Sequence, residues 1–260
     1  MADLRKINSL TKYPSIPTHH ALDPKNGGLF EEPAAYTGTV IGTEKVDGTN
    51  GRIILLPDGE WLIGSREDLL TASGDIVHNP ALGIVDALRP VAEKAATIGV
   101  GGFGEMLVFY LEVYGSKQLP AWKHYGAGEP AHRLFDVASI PDDMFAWDID
   151  RIASWRQHGG QDFASERVLN ELAERIGVDV TPRLFEIDGA DLPADIEGMR
   201  RFMDGYRSTL VATSGEPGLN EGIVLRAPDR SVISKARFQD YDRTLKRRSQ
   251  AAKRPEKVSR

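Results

Sequence analysis

The string of residues with the clearest chemical potential is EKVDGTN, which covers residues 44–50. The alternating stretch 39–46 predicts a strand that ends on a lysine and runs into a turn. Alternation places Lys45 on one face with Thr43 and Asp47, so an ammonium and a carboxylate would share the wall of a pocket. From this string alone, an ordinary exposed hairpin lysine remains the alternative.

Three further strings carry charges in predicted strands. One strand begins at Glu221 and ends at Arg226, and the next strand has Lys235 and Arg237 on one face. Glu112 stands inside an otherwise apolar strand. A buried acid requires a partner or a metal, so these strings favour a charged site over isolated surface charges.

In chain order, from Lys45 to Arg237, these strings resemble the motifs of the covalent nucleotidyltransferase superfamily, which comprises ATP-dependent DNA ligases, RNA ligases and messenger-RNA capping enzymes. In that family, the lysine of a K-x-D-G motif attacks the α-phosphate of a nucleotide. The chain is most similar to the RNA ligase 2-like branch, because Asn50 follows where DNA ligases usually carry arginine. The opening Lys12-Tyr13 also resembles that branch.

The resemblance implies a catalytic set of Lys45, Asp47, Lys235 and Arg237, with Lys45 as the nucleophile. A lysine amine attacks only in its neutral form, whereas an ordinary lysine, with a pKa of about 10.4, is protonated at neutral pH. The paired cations would bind the triphosphate, stabilise the transition state and, with a bound Mg²⁺, disfavour the ammonium form.

The resemblance also implies a set of nucleotide contacts. They comprise the acid beside the nucleophile, the asparagine of the motif, an arginine on the nucleotide or the RNA end, an acid on the ribose, a phenylalanine on the adenine and three residues of a late strand: Glu44, Asn50, Arg66, Glu112, Phe135, Glu221, Val224 and Arg226. Asp47, Glu112 and Glu221 would hold Mg²⁺, or Mn²⁺ in its place, mainly through waters, because magnesium keeps most of its hydration.

Two residues depart from the pattern of the branch. Arg226 and Arg237 stand where lysine is usual, and a planar guanidinium presents its donors differently from an ammonium. The sequence therefore predicts an ATP-dependent RNA ligase that joins RNA ends through a lysyl-AMP. A DNA ligase or capping-type guanylyltransferase is one alternative, and a non-catalytic RNA-binding relative is another.

The predicted fold class is α+β, with mainly antiparallel sheets flanked by helices, because predicted strands cluster instead of alternating with helices. The resemblance implies an ATP-grasp-like ligase fold. We expect a nucleotidyltransferase domain over 1–237 with an irregular lead-in over 1–36, and a basic helical tail over 238–260. Periodicity predicts four helices before the tail, at 80–98, 148–157, 165–176 and 194–211.

Composition narrows the remaining classes. The 260 residues include no cysteine, which excludes thiol chemistry, and no apolar run or leader sequence that would indicate a membrane protein, so we expect a cytoplasmic enzyme. Residues 235–260 carry ten Lys or Arg against three acids, so a net charge of −6 leaves −13 for residues 1–234. This basic end is either a solubilising tail or a contact for RNA.

One glycine pattern is misleading. Gly99, Gly101 and Gly104 fit G-x-G-x-x-G, but a predicted helix precedes them and a strand follows. A dinucleotide site needs the opposite order, so we interpret this segment as a helix-to-strand connection.

Overall fold

The fold is given by a computed structural model of the chain. The structure describes residues 3–72, 75–78, 81–97, 105–119, 121–126, 128–206, 210, 212–213, 216–217 and 220–252.

Seven α-helices lie in these residues, and three short 3₁₀ helices accompany them at Ala81–Gly83, Asp142–Ala146 and Gly189–Asp191. The α-helices are α1 (Leu4–Thr11), α2 (Ile84–Thr97), α3 (Trp122–Tyr125), α4 (Ile149–Gln157), α5 (Glu166–Ile176), α6 (Ile196–Asp204) and α7 (Phe238–Ala252).

The same residues form fifteen strands. They are β1 (His20–Leu22), β2 (Leu29–Pro33), β3 (Thr39–Lys45), β4 (Thr49–Leu55), β5 (Trp61–Ser65), β6 (Leu69–Ala72), β7 (Asp75–Ile76), β8 (Glu105–Tyr114), β9 (Ala131–Pro141), β10 (Asp162–Phe163), β11 (Arg183–Asp188), β12 (Ala212–Thr213), β13 (Glu216–Pro217), β14 (Gly222–Arg226) and β15 (Ile233–Arg237).

The chain forms two compact units, each assembled from separate segments. The first comprises Met1–Ser15, Val46–Thr181 and Leu210–Glu216, and the second comprises Ile16–Lys45, Pro182–Thr209 and Pro217–Arg260. The chain passes repeatedly between the two units, so no single linker separates them.

The first unit is built on a seven-stranded antiparallel sheet in the order β10-β9-β8-β4-β5-β6-β7. Because side chains alternate along a strand, β4 buries Ile53 on one face with α2 and α5, and Ile54 on the other face with α1 and α4. Helices therefore cover both faces of this sheet.

The second unit is built on a four-stranded antiparallel sheet in the order β11-β3-β14-β15. Val40, Ile223, Leu225 and Ala236 point to one face, where they pack against apolar residues of α6 and α7. The residues that alternate with them point to the opposite face, and these include Lys45, Arg226, Lys235 and Arg237.

The lead-in was predicted incorrectly. Residues 4–33 contain α1, β1 and β2 instead of irregular chain. Helix α1 has only two fully buried apolar residues, Ile7 and Leu10. Two apolar positions are too few to reveal a helical period in the sequence. Its main local feature is Asp3, whose side chain accepts from the amides of Arg5 and Lys6.

The tail is a docked helix over its described part. Helix α7 buries Phe238 and Tyr241 in the core of the second unit, whereas residues 253–260 lie outside the described residues. The three glycines of the G-x-G-x-x-G pattern also lie outside them, between the end of α2 and the start of β8.

Candidate active site

Lys45 is the last residue of β3 and lies on one face of the four-stranded sheet of the second unit. It is opposite Gly222 of β14, which is in turn opposite Arg237 of β15. In the neighbouring row, Val224 stands between Thr43 and Lys235. The two rows place the predicted nucleophile and both predicted phosphate-binding cations on the same face.

Gly222, which stands between Lys45 and Arg237 in this row, lies too close to the main chain of β15 to carry a side chain. A Cβ at this position would lie 2.0 Å from the carbonyl oxygen of Ala236. The preceding residue, Glu221, contacts both cations: its Oε2 accepts a hydrogen bond from Lys45 Nζ, and its Oε1 lies 3.9 Å from Arg237 Nη1. One carboxylate therefore links the lysine to the arginine.

The structure argues against an ordinary exposed lysine at position 45. The Lys45 side chain is 23% exposed and that of its partner Glu221 is 26% exposed. The pair is therefore partly shielded from water. An ion pair in such a position is stronger than one on an open surface.

Arg237 has a second acidic partner. Its Nε donates to Asp240 Oδ2 at 2.7 Å, and Arg243 Nη2 donates to the other oxygen of Asp240 at 2.6 Å. Asp240 is only 1% exposed. In the sequence, Asp240 is one of three acids in the basic segment 235–260, and no role was predicted for it.

Lys235 is held by main-chain pairing on the outer side of β15. Its N–H donates to Pro17 O at 2.9 Å, and its carbonyl accepts from His19 N at 2.8 Å. His19 is 2% exposed, and burial, followed by the charge of the adjacent His20, lowers the pKa of His19 to about 4.

Two predicted residues of this unit are more deeply buried. Glu44 is 1% exposed, and alternation places it on the face opposite Lys45. Arg226 is 2% exposed and is on the face of Val224, two residues further along β14. Their predicted contacts with the nucleotide remain predictions.

Asp47 belongs to the first unit, and β3 ends before it. The alternation of side chains in β3 therefore does not extend from Lys45 to Asp47, and the prediction that strand geometry places them on one face was wrong. The Asp47 N–H donates to Tyr125 Oη at 2.8 Å, and the Gly48 N–H donates to Glu112 Oε1 at 3.1 Å. Tyr125 was not identified from the sequence, because an isolated tyrosine in a short helix has no distinguishing pattern.

Asn50 and Glu112 stand opposite each other on β4 and β8. Asn50 Oδ1 is buried and has no hydrogen-bond partner among the described residues. A buried polar atom without a partner is costly, so this oxygen fits a residue that binds a polar ligand. Both residues were predicted nucleotide contacts.

Phe135 lies on β9 and packs edge-to-face against Tyr13, with ring centroids 5.0 Å apart. Tyr13 Oη in turn donates to Asp136 Oδ2 at 2.8 Å. The predicted adenine platform is therefore supported by Tyr13, two residues after the end of α1. Arg66, by contrast, is exposed in the turn after β5, and its Nε lies 3.8 Å from Oε1 of the adjacent Glu67.

The described part of the chain contains no cluster of three or more histidine or acidic residues suited to hold a metal ion. The metal set of Asp47, Glu112 and Glu221 thus remains a prediction. In the same part of the chain, no helix is both long and apolar enough to cross a membrane.

Similarities to known proteins bear on this arrangement. The model of the RNA ligase family matches residues 38–247, whereas no curated protein matches the chain. Three structures of a Naegleria gruberi RNA ligase are similar: a lysine-to-alanine mutant with ATP and Mn (TM-score 0.55, 13% identity, 82% of this chain and 52% of that chain); an aspartate-to-alanine mutant without ligand (0.59, 14%, 92% and 58%); and the ligase with PPi (0.58, 13%, 92% and 59%).

At these identities the structural matches establish the fold, and they confirm the predicted class of antiparallel sheets with flanking helices. This chain spans less than two thirds of the length of those ligases. Because the family model covers most of its residues, including every predicted site residue, the chain belongs to the RNA ligase family.

Proposed function

We propose that the chain is an ATP-dependent RNA ligase that forms a covalent lysyl-AMP at Lys45. The observation that carries the proposal is the position of this lysine. It is partly shielded, paired with Glu221, and on the same sheet face as Lys235 and Arg237. Such a face suits an anionic triphosphate better than a neutral ligand.

The first step is an in-line displacement at the α-phosphorus of ATP. Lys45 must first leave its pair with Glu221 and lose a proton, so that the nitrogen lone pair is free. The nitrogen then forms a bond to the α-phosphorus, while the bond from phosphorus to the bridging oxygen breaks and pyrophosphate leaves with that electron pair. The nitrogen releases its second proton as the phosphoramidate forms.

Lys235 and Arg237 would bind the phosphates and stabilise the charge that develops on them, which is the main task of a protein in phosphoryl-type transfer. Asn50 Oδ1, buried without a partner among the described residues, and Phe135, supported by Tyr13, suit a purine nucleoside. The Naegleria ligase has been seen with ATP and Mn, which supports the same nucleotide and a divalent metal here.

We expect Mg²⁺ to bind as a hydrated ion, with Asp47, Glu112 and Glu221 contacting its waters, because magnesium keeps most of its hydration. When bound, the metal would neutralise phosphate charge.

In the later steps, AMP would move from Lys45 to the 5′-phosphate of an RNA, and a 3′-hydroxyl would attack that phosphate and release AMP. The arginines of α7 that could contact RNA already bind other residues of the chain. Arg247 donates to the carbonyl of Asn26, and Arg248 pairs with Glu31. These arginines would have to give up such contacts or share them with an RNA phosphate.

The test is incubation with ATP labelled at the α-phosphate and Mg²⁺, followed by denaturing electrophoresis. Wild type should retain the label, and Lys45→Ala should lose it, while Lys94→Ala, an exposed lysine of α2, should behave as wild type. Unlabelled wild type, or label that persists in Lys45→Ala, would refute the proposal. Sealing of nicked RNA but not nicked DNA should then separate an RNA ligase from a DNA ligase.

A further inference from the structure

Asp240 is the most deeply buried member of a chain of alternating charges in the second unit. Lys45 contacts Glu221, Glu221 lies beside Arg237, and Arg237 donates to Asp240. Arg243 completes the series on the other oxygen of Asp240. Asp240 is 1% exposed, whereas Lys45, at the other side of Glu221 and Arg237, is 23% exposed.

The Nε and Nη1 groups of the Arg237 guanidinium differ in their contacts. Its Nε is committed to Asp240 at 2.7 Å, while Nη1 extends towards Glu221 at 3.9 Å, beyond hydrogen-bond distance. The Arg237 side chain is 29% exposed. The contact with Asp240 thus fixes the guanidinium at Nε, while the side chain as a whole remains partly accessible.

A lysine at position 237 could not divide its contacts in this way. The guanidinium is a rigid fork whose donors lie at fixed angles, whereas the ammonium is a single charged centre on a flexible stem. If the ammonium bound Asp240, its charge would be drawn towards the buried carboxylate and away from the sheet face. Asp240 therefore accounts for arginine at a position where the resembling enzymes usually have lysine.

We propose that Asp240 is a positioning residue that orients the Arg237 guanidinium towards the phosphates of ATP. The inference rests on the proposed function and deepens it, because it specifies how one phosphate-binding group of that site is held. Asp240 does not touch the nucleotide. It acts only through Arg237, and Arg237 at this position requires it.

A purely structural role is the competing explanation, since Asp240 also holds Arg243, which donates to Gly27 O at 2.9 Å. The two roles differ in what they predict for the reaction. A structural role reduces every activity of the chain in parallel. A positioning role reduces adenylation by ATP, whereas sealing of RNA that is already adenylated, which involves no triphosphate, remains.

The experiment measures the rate of label transfer from α-labelled ATP to Lys45 and, separately, the sealing of pre-adenylated nicked RNA. Asp240→Asn keeps the size of the side chain and removes its charge. The matched control is Asp242→Asn, the same change on the same helix at a residue that is 58% exposed and paired with Arg200. Both variants are also prepared in an Arg237→Ala background.

We expect Asp240→Asn to slow adenylation at least ten-fold and to raise the KM for ATP, with less than a two-fold change in sealing of pre-adenylated RNA. Asp242→Asn should stay within two-fold of wild type in both assays. In the Arg237→Ala background, Asp240→Asn should change adenylation less than two-fold, because the group through which it acts is already absent.

An adenylation rate for Asp240→Asn within two-fold of wild type would overturn the inference, and so would an equal loss in both assays or an undiminished effect in the Arg237→Ala background. If Asp240→Asn fails to fold, Arg237→Lys decides: a ten-fold loss supports the inference, and wild-type adenylation overturns it. Wild-type protein that takes up no label would instead overturn the proposed function itself.

Discussion

Acid pH should destabilise the second unit through His19. This imidazole is 2% exposed, its Nδ1 lies 3.4 Å from Ser234 Oγ, and its Nε2 is buried with no partner among the described residues. Burial, with a smaller contribution from His20, lowers its pKa to about 4, whereas an unfolded histidine titrates near 6.5.

The direction follows from the proton count. Between these two pKa values the unfolded chain binds a proton at position 19 and the folded chain does not, so protonation favours unfolding. The titration of His19 therefore costs no stability well above pH 6.5, and the free energy of unfolding decreases as the pH falls towards 4. The decrease is about 2 kcal/mol between pH 7.5 and pH 5, and about 3 kcal/mol by pH 4.

The assay is urea unfolding of wild type and His19→Gln at pH 7.5 and pH 5, because glutamine does not titrate. Subtracting the change in the variant removes the contribution of every other titrating group. We expect wild type to lose about 2 kcal/mol more than the variant. Equal losses would refute the reasoning. The main-chain N–H of His19 donates to the carbonyl of Lys235, so we expect the same fall in pH to weaken the main-chain pairing that holds Lys235 in place.

Three further predictions concern the first unit. Gly48→Ala should abolish most adenylation, because its Cβ would lie 2.4 Å from a main-chain carbonyl oxygen of β8, whereas Gly128→Ala, with open space around it, should match wild type; equal activities would contradict the role of this close approach. Tyr125→Phe should slow adenylation about five-fold, because it removes the hydroxyl that accepts a hydrogen bond from the Asp47 N–H, and the loss of such a bond costs roughly 1 kcal/mol. An unchanged rate would show that this contact is dispensable. Leu10→Ala should lower the free energy of unfolding by about 2–5 kcal/mol, against about 0.5 kcal/mol for the exposed Leu4→Ala, as urea melts would measure; similar losses would contradict the packing of α1.

The parts of the fold that were predictable had a clear local period. Residues 165–176 were predicted as a helix and form α5 at Glu166–Ile176, with Ser165 as its N-cap and Gly177 in the left-handed conformation at its C-terminus. The predicted strand with two cations on one face is β15, where Lys235 and Arg237 alternate with buried Ser234 and Ala236.

The features that could not be predicted from the sequence depend on contacts between distant parts of the chain. Helix α1 depends on packing of two apolar residues, and the two units are formed by segments that are distant along the chain. The partners of known motif residues were also hidden. Asp240 is only three residues from Arg237, but nothing in the basic run distinguishes it from the other acids or indicates its burial. Tyr125 lies 78 residues from Asp47, so only folding brings these two together.

The central claim is that the amine of Lys45 captures AMP. Its most direct test is mass spectrometry of proteolytic peptides after incubation of the full chain with ATP and Mg²⁺. The account predicts one added AMP on the peptide that contains Lys45 and none on any other lysine, with loss of the adduct when pyrophosphate is added in excess. AMP on a different lysine, or no adduct on any peptide, would contradict it.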